Sequence, residues 1–379
     1  MDFSLSKQEQ LFLQMIREFA EKEVKPLAAE VDESERFPME TVQKMAKLGI
    51  MGIPFPVELG GAGGSNILYT MAVEELSRVC ATTGVIVSAH TSLCCAPIME
   101  HGTPEQKAKY LPKLASGEWI GAFGLTEPNA GTDASAQQTI AVKEGDHYVL
   151  NGSKIFITNA GYAHVYIIMA MTDKSKGTKG ISAFIVEKDF PGFSIGTKEK
   201  KMGIRGSSTY ELIFEDCRIP AENLLGQEGK GFGIAMKTLD GGRIGIASQA
   251  LGIAQGAMDE TVKYVKERKQ FGKAIGQFQN TQFQLADLQT KIEAARLLVR
   301  QAAYKKDLKV PYSADAAMAK LFAAETAMEV TTKAVQFHGG YGYTREYPVE
   351  RMMRDAKITE IYEGTSEVQR MVIAANLLK

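Results

Sequence analysis

The sequence predicts an α+β multidomain protein in which an N-terminal α-helical bundle, a central β-barrel and a C-terminal four-helix-type bundle follow one another. Three observations lead to this expectation. The 379 residues exceed the roughly 250 to 300 at which a single hydrophobic core stops growing. The hydrophobic period changes from helical to strand-like and back along the chain. The 45% hydrophobic and 23% charged residues are typical of a chain that buries a substantial core.

The first part, residues 1–118, has the pattern of helices. Ser6 and Glu9 have the spacing of a capping box, and apolar residues follow them at intervals of three and four. A second helical segment opens at Pro38 and closes at Gly49, which are residues typical of a helix start and a helix stop. We therefore expect an N-terminal helical domain.

The middle part, residues 119–226, consists of short runs rich in β-branched and aromatic residues. Turn signals such as Asn151-Gly152 separate these runs, and no long helical pattern interrupts them. The spacing is typical of a compact sheet or barrel. The predicted strands lie at residues 148–150, 155–157, 165–169, 181–186 and 211–214.

The last part, residues 227–379, returns to a strong helical period. Apolar stripes at intervals of three and four predict a bundle whose helices pack through one face. Ser366 is interpreted as the N-cap of the final helix, with Gln369 completing a capping box. The predicted helices lie after Gly233, along 285–299, 314–335 and 348–357, and along 366–378.

Charge and cysteine content exclude several classes of protein. The 44 Lys and Arg residues nearly balance the 45 Asp and Glu residues, so no overall field favours nucleic acid or an anionic membrane. Four cysteines and five histidines lack metal-type spacing, and we expect reduced thiols and no metal. The N-terminus lacks a basic and apolar leader, and no run of about 18 apolar residues occurs. The sequence predicts a cytoplasmic protein without a membrane segment.

Known nucleotide-binding motifs are missing from the sequence. Neither G-x-G-x-x-G after a strand nor G-x-x-x-x-G-K-[ST] occurs, which disfavours a Rossmann site and a P-loop. The glycine-rich stretches 60–64 and 226–233 are interpreted as loops.

The segment 361–367, Ile-Tyr-Glu-Gly-Thr-Ser-Glu, places a carboxylate beside a glycine just before a helix start. Glu363 is therefore a candidate catalytic base. The alternative is a solvated loop carboxylate, because catalysis also needs a cleft and partner residues.

Four long motifs occur in a fixed order along the chain. They are FGLTEPNAGTD (123–133), NGSKIFITN (151–159), ERKQFG (267–272) and YEGT (362–365). With these motifs the chain resembles the acyl-CoA dehydrogenases over essentially its whole length, and most of all the short-chain, butyryl-CoA type of bacteria. The resemblance implies the acyl-CoA dehydrogenase fold, a helical bundle, a β-barrel and a second helical bundle.

The resemblance implies FAD as cofactor, because removal of a hydride needs an electron sink that side chains do not provide. Thr158 would lie near the flavin N5 edge, and Phe156 stands where many relatives carry Trp. The residues implied to contact the flavin are Phe123, Leu125, Thr126, Thr132, Phe156, Ile157, Thr158, Thr365 and Glu367.

A second set of residues matches positions that reach the FAD adenine and diphosphate of a neighbouring subunit. The resemblance thus implies a homotetramer, a dimer of dimers. Arg268 by itself could instead be a solvated helix residue. Adjacent glycines allow a backbone to approach a phosphate closely. The set is Arg268, Phe271, Gln279, Gln336, Gly339 and Gly340.

The mechanism implied by the resemblance removes two hydrogens from an acyl-CoA. Glu363 takes the α-proton, and the β-hydrogen leaves as hydride to flavin N5 to give a trans-2-enoyl-CoA. The Glu363 N–H and a flavin ribityl hydroxyl polarise the thioester carbonyl. Some relatives carry the base one residue before the arginine that matches Arg243, but Gly242 stands there in this chain. That difference favours Glu363.

The implied substrate contacts are Thr132, Asp240, Arg243, Gln249, Tyr362 and Gly364. Arg243 either orients the catalytic loop or CoA contacts together with Asp240, or forms a purely structural ion pair with it. Gln249, two helical turns past Gly242, could close the end of the pocket. We expect a shallow pocket that favours acyl chains of about four carbons.

Several activities are compatible with the same residues. An enoyl-CoA reductase would use the same site in the reverse direction, since catalysis lowers one barrier for both directions. An acyl-CoA oxidase or a non-catalytic member of the fold are further alternatives. The family implies electron-transferring flavoprotein as the partner, and no residue of the sequence demonstrates electron bifurcation.

Overall fold

The computed structural model describes residues 4–379. The first part is helical, as predicted, and begins with the expected capping box, in which the Ser6 Oγ accepts from the Glu9 N–H at 3.2 Å and the Glu9 carboxylate accepts from the Ser6 N–H at 3.0 Å. Its helices are α1 (Lys7–Phe19), α2 (Ala28–Ser34), α3 (Met39–Lys47), α4 (Asn66–Val79), α5 (Ala81–Ser88), α6 (Ala96–His101) and α7 (Pro104–Ala115).

A π-helical segment, Ala89–Cys95, joins α5 to α6 into one longer helical run. Within the described residues, this run, Ala81–His101, is the one helix that could cross a membrane by length and composition. Of its most apolar 18-residue window, 89% is buried inside the protein, which is the position of a core helix.

The middle part forms one sheet of eight strands. Six of these strands surround a shared apolar cluster that includes Tyr148, Tyr166, Phe184 and Phe214. The strand order is β6-β7-β3-β2-β4-β5-β8, and β1 pairs in parallel with β4. The strands are β1 (Gly121–Gly124), β2 (Ile140–Glu144), β3 (His147–Thr158), β4 (Val165–Met171), β5 (Ile181–Glu187), β6 (Phe193–Lys198), β7 (Thr209–Pro220) and β8 (Leu224–Leu225).

The turn predicted at Asn151-Gly152 is wrong, because both residues lie inside β3. The pairing of β3 with β7 shifts register between Leu150 and Gly152, as at a β-bulge. Gly152 has φ 142°, and an added Cβ would lie 2.7 Å from the Thr139 Cα. The glycine therefore permits a positive φ and a close backbone contact next to the bulge, and in sequence it resembles a turn signal.

The last part is the predicted helical bundle. A two-stranded hairpin of β9 (Lys269–Gln270) and β10 (Lys273–Ala274) joins its first two helices. The apolar residues spaced at intervals of three and four from Ala247 to Val262 lie in the largest apolar cluster or pack against it. The helices are α8 (Gly231–Glu267), α9 (Gln279–Asp307), α10 (Ser313–His338), α11 (Val349–Lys357) and α12 (Ser366–Leu377).

The predicted N-cap of α12, Ser366, is wrong, because the N-cap is Thr365. Thr365 has extended backbone angles, and its hydroxyl accepts from the Val368 N–H at 3.3 Å. Ser366 already belongs to the helix, so the capping box centred on it does not form. The side chain of Gln369 instead donates to two loop carbonyls before the helix, those of Glu363 and Gly364.

Helix α8 positions the candidate site, because it packs against α4, α5, α9 and α10. Its first half faces the sheet and the π-helical segment. The domain boundaries after residues 118 and 226 stay a prediction.

Candidate active site

A cavity of about 280 Å³ lies where the sheet, α8, the π-helical segment and the loop before α12 meet. It contains the predicted base, Glu363, together with residues from both predicted ligand sets. From the sheet side it is lined by Phe123, Leu125, Thr126, Thr132, Phe156, Ile157 and Thr158, and from the helical side by Arg243, Tyr362 and Gly364. Residues more than 200 positions apart in sequence thus share one cleft.

Glu363 is a partly buried residue in the wall of the cavity. Its Oε2 atom is enclosed and has no hydrogen-bond partner. Burial raises the pKa of Glu363 to about 7, while the positive charges of Lys320 and Arg243 act in the opposite direction. The alternative of a solvated loop carboxylate is therefore wrong. A carboxyl group that titrates near neutrality can both accept and release a proton.

The backbone around Glu363 is held by side chains from three helices. The Lys320 Nζ donates to the Gly364 carbonyl at 2.7 Å, and the Arg243 Nε donates to the Glu363 carbonyl at 3.4 Å. The Gln369 Nε2 donates to both carbonyls, at 3.1 and 2.8 Å. Glu363 and Gly364 have φ of 48° and 93°, so two consecutive residues are left-handed. A non-glycine residue persists in this conformation only where its surroundings impose it.

Arg243 contacts both the loop that carries Glu363 and Asp240, the two alternatives that the sequence left open. Its Nη1 donates to the Asp240 Oδ1 at 2.6 Å, and its Nε donates to the backbone of the loop before α12, at the Glu363 carbonyl. Asp240 also accepts from the Ser313 hydroxyl at 2.9 Å. Arg243 lines the cavity whereas Asp240 does not, so Asp240 acts on the site through the guanidinium.

Gly242 leaves the space that Glu363 occupies. A Cβ atom at this position would lie 3.3 Å from the Glu363 Cγ and 2.8 Å from the Leu93 Cδ2. The residue therefore offers no alternative base and keeps α8 close to the loop that carries Glu363.

Gln249 does not line the cavity, contrary to the expectation that it closes the pocket directly. It is fully buried, and its Nε2 donates to the Ala81 carbonyl at 3.0 Å. Its Oε1 accepts from the hydroxyl of Tyr362, which does line the cavity. Gln249 thus acts on the cavity wall through Tyr362.

The sheet side of the cavity carries an aromatic ring in an unusual conformation. Phe156 has φ 61° and is 59% exposed although it lies within β3. A buried ion pair supports the adjoining loop: the Lys154 Nζ donates to the Glu127 Oε1 at 2.6 Å and to the Leu125 carbonyl at 3.2 Å. An exposed aromatic ring that lines a cleft, on a residue whose backbone is left-handed, is suited to contact a flat ligand.

The second predicted set lies away from this cavity. Arg268, Gly339 and Gly340 line a separate depression of about 540 Å³ with Tyr264 and Tyr341. Added Cβ atoms at Gly339 and Gly340 would meet no atom within 4 Å, so contacts within the chain do not explain the glycine at position 340. The remaining members of this set, Phe271, Gln279 and Gln336, are exposed and do not line the depression.

Two predicted flavin contacts lie outside the cavity. Thr365 caps α12, and Glu367 is exposed in the first turn of that helix. Neither side chain is part of the lining.

Sequence reasoning missed the apolar wall and the cation behind the loop. Ala89 and Leu93 come from the π-helical segment, a feature often found at functional sites, and Phe232, Met236 and Leu239 come from α8. Lys320 could have been noticed as a charge within the apolar stripe of α10, where the neighbouring buried residues are alanines.

The described residues contain no group of His, Cys, Asp and Glu that could hold a metal ion. The cysteines are free and buried.

Comparison with known proteins agrees with this arrangement. Models of the N-terminal, middle and C-terminal domains of acyl-CoA dehydrogenases match residues 6–118, 122–217 and 229–378. The short-chain specific acyl-CoA dehydrogenase of Clostridium acetobutylicum is 67% identical over the full length of both chains. The acryloyl-CoA reductase (NADH) of Anaerotignum propionicum is 53% identical over 100% of this chain and 96% of its own.

Two solved structures superpose over the full length of both chains. Butyryl-CoA dehydrogenase of Megasphaera elsdenii has a TM-score of 0.98 at 55% identity. A chain from the structural work on the electron transferring flavoprotein of Acidaminococcus fermentans and flavin-based electron bifurcation has a TM-score of 0.99 at 58% identity.

Proposed function

We propose, since this chain belongs to the acyl-CoA dehydrogenase family and is an enzyme of the short-chain type, that it catalyses α,β-dehydrogenation of short acyl-CoA thioesters such as butyryl-CoA. The observation that carries the proposal is the buried carboxylate of Glu363 in the wall of a cavity that an acyl chain could enter.

Glu363 is the proposed base that removes the α-proton. A carboxylate with a pKa of about 7 is partly ionised at neutral pH, and it binds a proton much more tightly than a free glutamate does. Because its Oε2 has no hydrogen-bond partner, it can take the proton without breaking an existing bond. The Glu363 N–H is the proposed donor to the thioester oxygen, where negative charge develops as the α-proton leaves.

The residues around the cavity fit a flavin, as expected for this flavin-dependent family, and we propose FAD. Phe156 presents its ring to the cleft, and Thr126, Thr132 and Thr158 add hydroxyl groups to an otherwise mostly apolar lining. The bound flavin supplies the two-electron acceptor for the hydride that leaves the β-carbon. Closing this lining around a ligand excludes water and strengthens the electrostatic interactions within the site.

The outer part of the dinucleotide is proposed to contact Arg268, Gly339 and Gly340 of a neighbouring subunit. This arrangement explains the glycine at position 340, which no contact within the chain requires. It also requires an oligomer, and a homotetramer is the assembly that we propose.

A preference for about four carbons is proposed from the wall formed by Tyr362. The tyrosine is held by the buried Gln249, so the wall is rigid and limits the depth available to an acyl chain.

The reverse reaction, reduction of an enoyl-CoA, is the second candidate. The similarity to an acryloyl-CoA reductase favours it, because that relative is named for the reductive direction. Electron-transferring flavoprotein is the proposed electron partner, and the support is the full-length similarity to a chain solved in work on such a flavoprotein. A cytoplasmic location stays a prediction of the sequence.

Anaerobic titration of the flavin-loaded protein tests the proposal. Butyryl-CoA is expected to bleach the flavin absorbance with a near-stoichiometric end point, whereas longer homologues bleach it less. Crotonyl-CoA should restore the absorbance of dithionite-reduced protein. A protein that takes up no flavin, or whose flavin responds to none of these thioesters, would contradict the proposed function.

A further inference from the structure

Lys320 is a buried cation that the proposed reaction does not yet use. It lies in the first third of α10 and has 0% relative exposure. Its Nζ donates to the Gly364 carbonyl at 2.7 Å. Isolated ammonium groups are seldom buried, because the loss of hydration disfavours the charged form. A fully enclosed lysine next to the candidate base therefore needs an explanation.

Charged and titratable groups face this pair from each element packed around it. On α8, Arg243 acts on both Glu363 and Lys320, and Asp240 pairs with Arg243. Glu360 and Glu367, on either side of the catalytic loop, act on Lys320, and on α4 the Tyr69 hydroxyl is influenced by Glu363. Burial lowers the pKa of Lys320 to about 8, and the carboxylate of Glu363 is the largest opposing influence.

The hydrogen bond of Lys320 acts on a backbone in an unfavourable conformation. Glu363 and Gly364 are both left-handed, and only the second is a glycine. The carbonyl of Gly364 receives Lys320 and Gln369, while that of Glu363 receives Gln369 and Arg243. The loop is thus fixed by donors from α8, α10 and α12, and Lys320 is the fully buried cation among them.

We propose that Lys320 is a positioning residue that holds the Gly364 carbonyl, keeps the Glu363 carboxylate directed at the cavity, and favours its ionised form. The inference rests on the proposed role of Glu363 as the base. It assigns to α10 a part in the reaction although Lys320 itself does not line the cavity.

The test uses the flavin-loaded enzyme and the variants Lys320→Met, Lys320→Gln and Lys320→Arg. Methionine has a similar length but neither charge nor donor, so the pKa of Glu363 should rise. The acid limb of the pH profile of kcat/KM with butyryl-CoA, where activity falls as the base is protonated, should then move upward by about one pH unit. A shift of this size is within the range that a nearby opposite charge produces. Amide hydrogen exchange of residues 361–369 should become faster, because the loop loses a donor. Flavin content should remain that of the unchanged protein.

The other variants separate charge from hydrogen bonding. Lys320→Arg keeps the charge and should leave the limb near its original pH. Lys320→Gln keeps a hydrogen-bond donor but has no charge. It should move the acid limb to higher pH, with a smaller change in hydrogen exchange than Lys320→Met. Lys333→Met, an exposed lysine on the same helix, is the matched control and should alter neither property.

The proposal would be overturned if Lys320→Met changed neither the pH of the acid limb of kcat/KM nor the rate of amide hydrogen exchange in the loop. If Lys320→Met does not take up flavin, an unchanged limb in Lys320→Gln overturns it equally. Failure of the proposed function would show itself differently, as undiminished turnover in Glu363→Gln. In that case hydrogen exchange of the loop alone decides whether Lys320 positions it.

Discussion

Burial of the Glu363 carboxyl suits its proposed role as a base, but it disfavours folding when the group is ionised. Its pKa is about 7 in the folded protein against a usual value of 4.5. A carboxyl whose pKa is raised by folding stabilises the protein below pH 4.5 relative to higher pH, and that contribution is lost as the pH rises through about 7. The loss approaches about 3 kcal/mol, since each unit of pKa corresponds to about 1.4 kcal/mol.

Replacement of Glu363 by glutamine should therefore stabilise the protein at high pH. Glutamine retains the shape but has no charge to desolvate. At pH 8 the flavin-loaded Glu363→Gln protein should unfold at a higher temperature than the unchanged protein, and the difference should shrink towards pH 5. The exposed Glu367→Gln serves as control and should show no such gain. A lower unfolding temperature for Glu363→Gln at pH 8 would show that Glu363 is not desolvated as described.

Gly242→Ala tests the contact between α8 and the catalytic loop. The added methyl group would crowd Leu93 and the Glu363 Cγ, so the carboxylate should be displaced. We expect kcat with butyryl-CoA to fall by about 10- to 100-fold, the scale of a small misplacement of a catalytic group, with flavin content unchanged.

The matched control is Gly233→Ala on the same helix, where an added Cβ would meet no atom within 4 Å. Its kcat should not change. An equal loss in both variants would indicate a general effect on α8 rather than on Glu363.

The sequence predicts Glu363 because its motif is local, whereas the surroundings of Glu363 are not. Lys320 and Gln369 act on the loop through its backbone carbonyls, and a sequence pattern contains no information about which carbonyl a distant side chain reaches. Gln249 was expected to close the pocket itself, but it lies behind the cavity wall, and its contact with Tyr362 joins residues 113 positions apart.

Among the elements, β3 carries the ion pair that supports the sheet side of the cavity. Lys154→Met should leave the Glu127 carboxylate buried without its cation, and loss of one partner of a buried pair costs about 3–5 kcal/mol. Denaturant unfolding followed by tryptophan and flavin fluorescence would measure the loss. The double variant Lys154→Met with Glu127→Gln should recover part of it, and a single variant as stable as the unchanged protein would contradict the account of this pair.

The α8 residue Gln249 offers a test of chain-length selection. In Gln249→Gly the Tyr362 hydroxyl loses its partner and space opens behind the ring. The ratio of kcat/KM for octanoyl-CoA to that for butyryl-CoA should rise by about tenfold, the scale of small changes in apolar pockets. Gln255→Gly, six residues along the same helix, is the control. An unchanged ratio would show that another wall sets the depth of the pocket.

Helices of the bundle were predictable because their apolar stripes coincide with the faces that are buried. Strands were predicted less completely. β6 is largely exposed and β1 has only four residues, so neither shows a clear alternation of apolar and polar residues. Gly152 indicated a turn because the sequence does not show that Thr139 packs against it.

For the whole molecule, the exposed set around Arg268 predicts an assembly. Phe271 is 94% exposed at the tip of a hairpin, where its ring is free to contact a neighbouring subunit. Phe271→Ala and Arg268→Ala should reduce the flavin-to-protein ratio after gel filtration, and the unchanged protein should sediment as four chains. Full flavin content in both variants would place the dinucleotide elsewhere.

The candidate cavity is a property of the whole molecule, since it joins residues from Ala89 to Val368. Hydrophobic periods predicted the three parts of the chain but not how they meet. That information came from the motifs through their resemblance to a known family, and the similarity to full-length relatives agrees with it.

The central claim is that Glu363 removes the α-proton, and rapid anaerobic mixing of flavin-loaded Glu363→Gln with butyryl-CoA tests it most directly. Loss of a general base should slow bleaching of the flavin by about 10²- to 10⁴-fold, while binding of butyryl-CoA, measured by calorimetry, stays near that of the unchanged protein. Bleaching at close to the original rate would contradict the claim.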